Sequence, residues 1–249
     1  VKLPEMEHLE SLSVKSLSVR KVTGCQSAPV SDRLSVEEPL EIRIGYGPPE
    51  NRTQKNISVT IRTPGHDLDL AVGFLYTEGI IISRDDVQGA AHVGEQCLRQ
   101  KQNVVRVDLA DRCAPRLVHA ERNFYTTSSC GVCGKGSIQS IRTTSPFMTA
   151  DRPCLELTTE VLYQLCGKLE AVQGDFAATG GIHASGLFSM AGELLLTRED
   201  VGRHNALDKL IGHAIAASLL PLDRHILLLS GRASFELIQK AAMAGIGIV

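Results

Sequence analysis

No stretch of this 249-residue sequence comes near the roughly 20 consecutive apolar residues of a membrane span, and its first 30 residues hold no apolar signal core. The sequence therefore reads as that of a cytoplasmic protein with no membrane partner. An excess of one charge is also missing. The 26 basic and 28 acidic residues leave a formal net charge of -2, which excludes a general polyanion binder and nucleic acid as partner, while a local phosphate site stays open. Seven cysteines (25, 97, 113, 130, 133, 154 and 166) make an odd number scattered through a chain without secretory features, so no disulfide framework is expected. There is no initiator methionine, and the chain ends on the apolar run "AGIGIV"; both natural ends are not expected to be present. What remains, 43% hydrophobic and 22% charged residues, is the composition of a globular protein with a real core.

The pattern of elements divides the chain. Residues 1–36 form an arm in which "SLSVK" is followed by "SLSVR", with the alternation of an edge strand. Residues 37–125 read as a small α+β domain. It has a strand in "PLEIRIGY" with Leu40, Ile42, Ile44 and Tyr46 on one face, and a strand in "NISVTIRT" with Ile57, Val59 and Ile61 on one face. A helix follows, opened by Asp67, striped by Leu68, Ala71, Val72 and Leu75 and stopped by Gly79; "NVVRVDL" makes a further strand. Residues 126–145 are a loop rich in glycine, serine and threonine. Residues 146–249 then give a helix near 158–172, strands near 182–189 and 192–198, a helix at 203–219, the strand "HILLLS", the helix "ASFELIQKAAMAG" and the start of a strand in "IGIV". Helix, two strands, helix, strand, helix, strand is the order of a cytidine deaminase-like three-layer α/β/α domain. The fold class is thus a two-domain α/β (α+β) protein, this domain being the larger.

The loop "TTSSCGVCGKGS" places Cys130 and Cys133 three apart, with Lys135 two residues on. A structural zinc site usually draws four ligands from two closely spaced pairs, and here there is one pair, so no metal is expected. A zinc deaminase needs H-x-E ahead of P-C-x-x-C, whereas His183 follows the pair and lacks the glutamate. The phosphate-loop pattern fails because Ser129 stands where its first glycine should be and Gly136 where Ser or Thr should be. A thioredoxin-type pair should open a helix, which glycines at 131, 134 and 136 oppose. Sulfur carriage fits the chemistry better. A carrier cysteine has to be a thiolate on a mobile backbone: Lys135 supplies the cation, the glycines supply the mobility, and the second thiol can resolve a mixed disulfide or persulfide.

A second constellation lies in "GGIHASGLFSMAGELLLTREDVGRHNALDKL". His183 sits in one strand, a second strand ends in Arg198, Glu199 and Asp200, and Gly202, Arg203, His204 and Asn205 open the helix that follows. The join recurs where "HILLLS" runs into Ser230, Gly231 and Arg232. Helix N-termini preceded by glycine offer free N–H groups and a positive dipole end, so two such turns at one sheet edge make a crevice suited to a phosphate-bearing ligand. The plainer reading of the same residues is that Asp200 caps a helix and the arginines are solvated.

"ISVTIRTPGHDLDLAVGFLYTEGII", "SSCGVCGKGSI", "GGIHASGLFSMAGELLLTREDVGRHNALDKLIGHA" and "GRASFELIQKAAMAGIGIV" closely resemble the FdhD family of formate dehydrogenase accessory proteins, from about Pro39 to the end of the chain. The resemblance implies a sulfurtransferase that takes sulfur from a cysteine desulfurase and passes it to the molybdenum cofactor, in its bis(molybdopterin guanine dinucleotide) form, for formate dehydrogenase. Cys130 is then the persulfide carrier and Cys133 its assistant. A homodimer is implied, as is binding of the guanine dinucleotide part of the cofactor, with GDP as a fragment ligand; the diphosphate would meet the glycine and arginine turns. The alternative is a non-catalytic chaperone that shelters the cofactor while the cysteines only shape their loop.

Overall fold

The computed structural model describes residues 12–94, 103–117, 145–147 and 155–249. Cys130, Cys133 and Lys135 lie outside them. The first element is a hairpin of two ten-residue strands, β1 (Val14–Thr23) and β2 (Gln26–Ser35), joined at Gly24-Cys25 in register Thr23↔Gln26. The sequence reading had one edge strand or arm here; the structure has both strands of a ribbon. The ribbon touches the body through the short helix α3 (Gly174–Thr179), where the Ser35 and Thr179 hydroxyls are 2.8 Å apart.

A four-stranded sheet follows in the order β4-β3-β6-β5. It is built from β3 (Glu38–Tyr46), β4 (Thr53–Arg62), β5 (Val87–His92) and β6 (Val104–Leu109). β3 and β6 are parallel and the other pairs antiparallel. Alternation in β3 sends Leu40, Ile42 and Ile44 inward, all fully buried, beside Val105 and Val107 of β6. β4 departs from its expected facing. Its pairing with β3 shifts between Ile42 and Arg43, which face Ser58 and Asn56 and leave Ile57 as the extra residue of a bulge. Past a bulge the pleat changes sides, so Ile57 is buried while Val59 and Ile61 are about half exposed (50% and 47%).

Helix α1 (Asp67–Thr77) covers this sheet with Leu70, Ala71, Val72, Leu75 and Tyr76. Leu68, expected on the stripe, is 37% exposed, and Leu70 takes its place in the core. The start of α1 is fixed by Arg62, whose guanidinium donates to both Asp67 oxygens (3.0 and 2.9 Å) in a buried fork.

The second sheet has three strands in the order β8-β7-β9: β7 (His183–Ser189), β8 (Leu194–Asp200) and β9 (His225–Leu229). Both neighbours run antiparallel to β7, and the expected strand in "IGIV" reduces to one parallel bridge, Ile226 to Ile248. Helix α2 (Thr159–Glu170) packs Leu165 and Leu169 against Ala184, Phe188 and Ile226. Helix α4 (Arg203–Ala216) and helix α5 (Phe235–Met243) join Leu187 and Leu227 to the core of the first sheet, so one apolar cluster runs from Leu40 to Ile246. α4 stops at Ala216, short of the expected 219, and Leu219 is left 47% exposed. Among the described residues no helix is long and apolar enough to cross a membrane.

The two sheets are locked together where α1 crosses α4. A Cβ on Gly73 would stand 2.8 Å from the Gly212 nitrogen, and one on Gly212 would stand 2.9 Å from the Gly73 nitrogen. The crossing is backbone on backbone.

Candidate functional site

The two strand-to-helix turns singled out from the sequence meet at one sheet edge. A Cβ on Gly231 would lie 3.3 Å from His183 Nδ1 and 3.5 Å from Arg203 Cδ. The turn after β9, the start of β7 and the start of α4 are therefore in contact. The Ser230 hydroxyl accepts the Ala184 N–H (2.8 Å), pinning the first turn to β7. Gly202 is the N-cap of α4 and supplies no side-chain cap, so this 14-residue helix starts at Arg203 on glycine alone. Arg232 is exposed on the other turn.

Not every predicted residue faces this edge. Asp200 is fully buried, and its oxygens accept the Gly202 N–H (2.8 Å), the Thr63 N–H (3.2 Å) and the Asn205 amide (3.1 Å) and pair with Lys209 Nζ at 2.7 Å. Asn205 also donates to the Ile61 carbonyl (2.8 Å) and accepts the Thr60 hydroxyl (3.2 Å). Both residues therefore brace the α4 turn against β4 and do so with internal partners. Burial pushes the Asp200 carboxyl up against the pull of Lys209. Arg198 points away from the crevice, donating to the Thr197 carbonyl (3.0 Å) and to Asp69 (3.2 Å) at the start of α1. Of the ten residues proposed from sequence to hold a cofactor, then, His183, Gly202, Arg203, His204, Ser230, Gly231 and Arg232 gather at the edge, and Arg198, Asp200 and Asn205 stand behind or beside it.

Sequence reasoning missed the layer beneath. His204 Nε2 lies 3.3 Å from the Ser234 hydroxyl and 3.3 Å from Glu236 Oε2, both at the start of α5. Behind it Lys240, almost fully buried, donates to both oxygens of Asp208 (3.1 and 2.9 Å), to the Thr77 hydroxyl (2.9 Å) and to Glu78 (3.3 Å). Its ammonium sits 5.4 Å from the centre of the Phe74 ring. The sequence carries no clear local sign of this network, since Asp208 stands next to Lys209 and Lys240 next to Gln239.

These groups are pushed in opposite directions. Burial, followed by Lys240 and Arg203, lowers the His204 imidazole to about 4, and burial raises the Asp208 carboxyl to about 6 against Lys240. His204 thus contributes stability that is complete above 6.5 and lost as pH falls toward 4, whereas Asp208 contributes stability present below 3.8 and lost as pH rises through 6. Each shift of about two units corresponds to about 3 kcal/mol, and the two slopes oppose each other between pH 4 and 6. In urea unfolding, His204→Asn should unmask the Asp208 slope. Wild type should then lose up to about 3 kcal/mol relative to the variant as pH drops from 6.5 to 4, and a pH-independent difference would refute the buried neutral imidazole.

The described residues define a mixed α/β protein whose two sheets share one core and whose second sheet ends in a polar edge made of strand-to-helix turns. The FdhD/NarQ family profile matches residues 35–249, and the chain belongs to that family. It is 46% identical over 235 residues to a Streptomyces coelicolor protein named sulfur carrier protein FdhD, covering 92% of this chain and 80% of that one. A Mycobacterium tuberculosis protein of the same name is 43% identical over 236 residues (93% and 82% covered), and one from Sulfolobus acidocaldarius 37% over 238 (96% and 84%). In fold it is similar to a crystal structure described as that of a formate dehydrogenase accessory protein from Desulfotalea psychrophila. The TM-score is 0.69 at 18% identity, covering 96% of this chain and 83% of that one.

Proposed function

We propose that this protein is a persulfide-carrying sulfurtransferase that accepts sulfur from a cysteine desulfurase and delivers it to the molybdenum cofactor, as bis(molybdopterin guanine dinucleotide), required by formate dehydrogenase. The observation that carries the reading is family membership, with relatives more than 40% identical named as sulfur carriers, joined to the pair Cys130 and Cys133 beside Lys135 in a glycine-rich stretch. In the transfer the Cys130 thiolate attacks the sulfane sulfur of the desulfurase persulfide, and the desulfurase cysteine leaves as a thiolate. The sulfur changes owner without any external oxidant. Lys135 favours the thiolate, and Cys133 resolves misdirected disulfides.

The crevice at Gly202, Arg203, Ser230, Gly231 and Arg232 suits the diphosphate of the guanine dinucleotide, which is substrate here rather than resident cofactor. Its support is the convergence of the two strand-to-helix turns, the α4 start without a side-chain cap, and two arginines. The strand order β8-β7-β9 with the central strand antiparallel, the parallel bridge to Ile248 and the flanking helices support a cytidine deaminase-like arrangement of this half. The resemblance also implies a homodimer working in the cytoplasm.

The test is chemical. Incubated with a cysteine desulfurase and cysteine, the protein should gain the mass of one sulfur per chain, removable by a thiol reductant, and Cys130→Ala should gain none. Equal gain by the variant would move the carrier role to another cysteine. No gain by either would favour the non-catalytic chaperone.

A further inference from the structure

We infer that His204 meets its ligand as a hydrogen-bond acceptor, through Nδ1, because Glu236 holds the imidazole in its Nε2–H form. What it reads is an N–H or O–H of a nucleoside diphosphate rather than a phosphate oxygen. This rests on the nucleotide reading of the crevice and goes beyond it by giving one residue a direction.

A carboxylate only accepts, so the charge of Glu236 Oε2, in ion-pair contact with Nε2 at 3.3 Å, favours hydrogen on that nitrogen. The Ser234 hydroxyl, also 3.3 Å from Nε2, accepts the Leu237 N–H at 3.4 Å as the N-cap of α5 and so holds a fixed place beside the ring. With Nε2 protonated, the second nitrogen decides what the ring offers. A doubly protonated ring would be a cation suited to phosphate. Burial opposes that state most, Lys240 on α5, Arg203 on its own helix and His183 at the start of β7 add to it, and Glu78 at the end of α1 and Glu236 at 3.3 Å work the other way. Nδ1 is then a lone pair, with no partner among the described residues. The first turn of α4 divides its work. Arg203 and the positive end of the helix suit the diphosphate, and His204 suits a donor on the ribose or the base. Glu236 is a positioning residue in this scheme, acting only through the imidazole.

Protein labelled with 15N-histidine should show His204 at pH 7 with one protonated nitrogen, Nε2, before and after GDP is added. In calorimetry with GDP, His204→Gln, whose amide falls near the Nε2 position, should bind about tenfold more weakly. His204→Asn, whose amide oxygen falls near Nδ1, should recover affinity to within about threefold. The ratio of wild-type to His204→Gln affinity should stay constant from pH 8 to 6, a comparison that cancels the ionisation of GDP itself. With 2′,3′-dideoxy-GDP, a matching loss for wild type would make the donor a ribose hydroxyl, and an unchanged affinity would make it the guanine edge. A doubly protonated ring at pH 7, a ratio that grows as pH falls, or equal binding by the Gln and Asn variants would overturn the inference. Failure of wild type to bind GDP would instead overturn the nucleotide reading, and the ligand-free spectrum would still decide the tautomer.

Discussion

Gly212→Ala should lower the unfolding free energy by about 3 kcal/mol or more, although alanine is the better helix former by about 1 kcal/mol. The sign is set by what the methyl group would meet. A Cβ at 212 would run into the Asp69 carbonyl oxygen and stand 2.6 Å from its carbonyl carbon. Those are backbone atoms of α1, which cannot rotate aside as a side chain would. The helices would have to separate, and separation would strain the Arg198 bond to Asp69 (3.2 Å), the Thr77 bond to Asp208 (2.8 Å) and the Tyr76 hydroxyl bond to the Met243 carbonyl (3.1 Å). Gly73→Ala should behave alike, since its Cβ would run into the Asp208 carbonyl. For a chain of this size the loss corresponds to a fall in Tm of about 10 °C. Gly167→Ala in α2 is the control: nothing lies within 4 Å of its Cβ, so propensity alone should act and the variant should be slightly more stable. Thermal unfolding of the three variants checks this, and a Gly212→Ala protein as stable as wild type would show that the crossing is looser than drawn.

That crossing shows where the sequence was informative and where it was silent. β3 and α4 were legible because their apolar residues recur at a period, two in "PLEIRIGY" and 3.6 in "RHNALDKLIGHAIA", although α4 is buried without a break from Asn205 to Gly212. β4 was placed correctly and faced wrongly, because a single extra residue at Ile57 inverts every side chain after it and no local composition marks it. α3 was missed because its six residues are held from outside: the Glu199 carboxylate accepts the Asp175 and Phe176 N–H groups (3.2 and 2.9 Å) from a strand some 24 residues on. The same non-local cause separates the two kinds of site residue. Glycine and arginine at strand ends marked the turns, whereas nothing in "REDVG" said that Asp200 would be consumed by Thr63 and Lys209. Acidic and basic residues on a helix read as its wet face until the partner element is known, and here α1 and α5 arrive on that face.

Lys240→Met at pH 7.5 should therefore cost about 3–5 kcal/mol, far more than the loss of a surface lysine, because it takes the paired cation away from the buried Asp208 carboxylate. Methionine fills most of the volume, and Phe74 loses only its cation contact, so the loss is chiefly electrostatic. Three consequences follow from that origin. The cost should shrink as pH falls toward 5, since an unpaired Asp208 escapes its penalty by taking a proton, whereas a packing defect would not respond to pH. The double variant Lys240→Met/Asp208→Leu should recover much of the stability, as buried pairs replaced by apolar groups often do, leaving the Thr77 hydroxyl as the main group without its old partner. The third consequence reaches the crevice. Lys240 is the charge that most depresses His204 after burial itself, so its removal should raise the imidazole toward its ordinary range while Glu236 still holds Nε2–H. Protonation of Nδ1 near neutral pH would then cancel the acceptor, and GDP binding by the single variant should acquire a pH dependence that wild type lacks. A single variant that is destabilised but binds GDP with the wild-type pH profile would confine Lys240 to the core and cut the link between the buried network and the sheet edge.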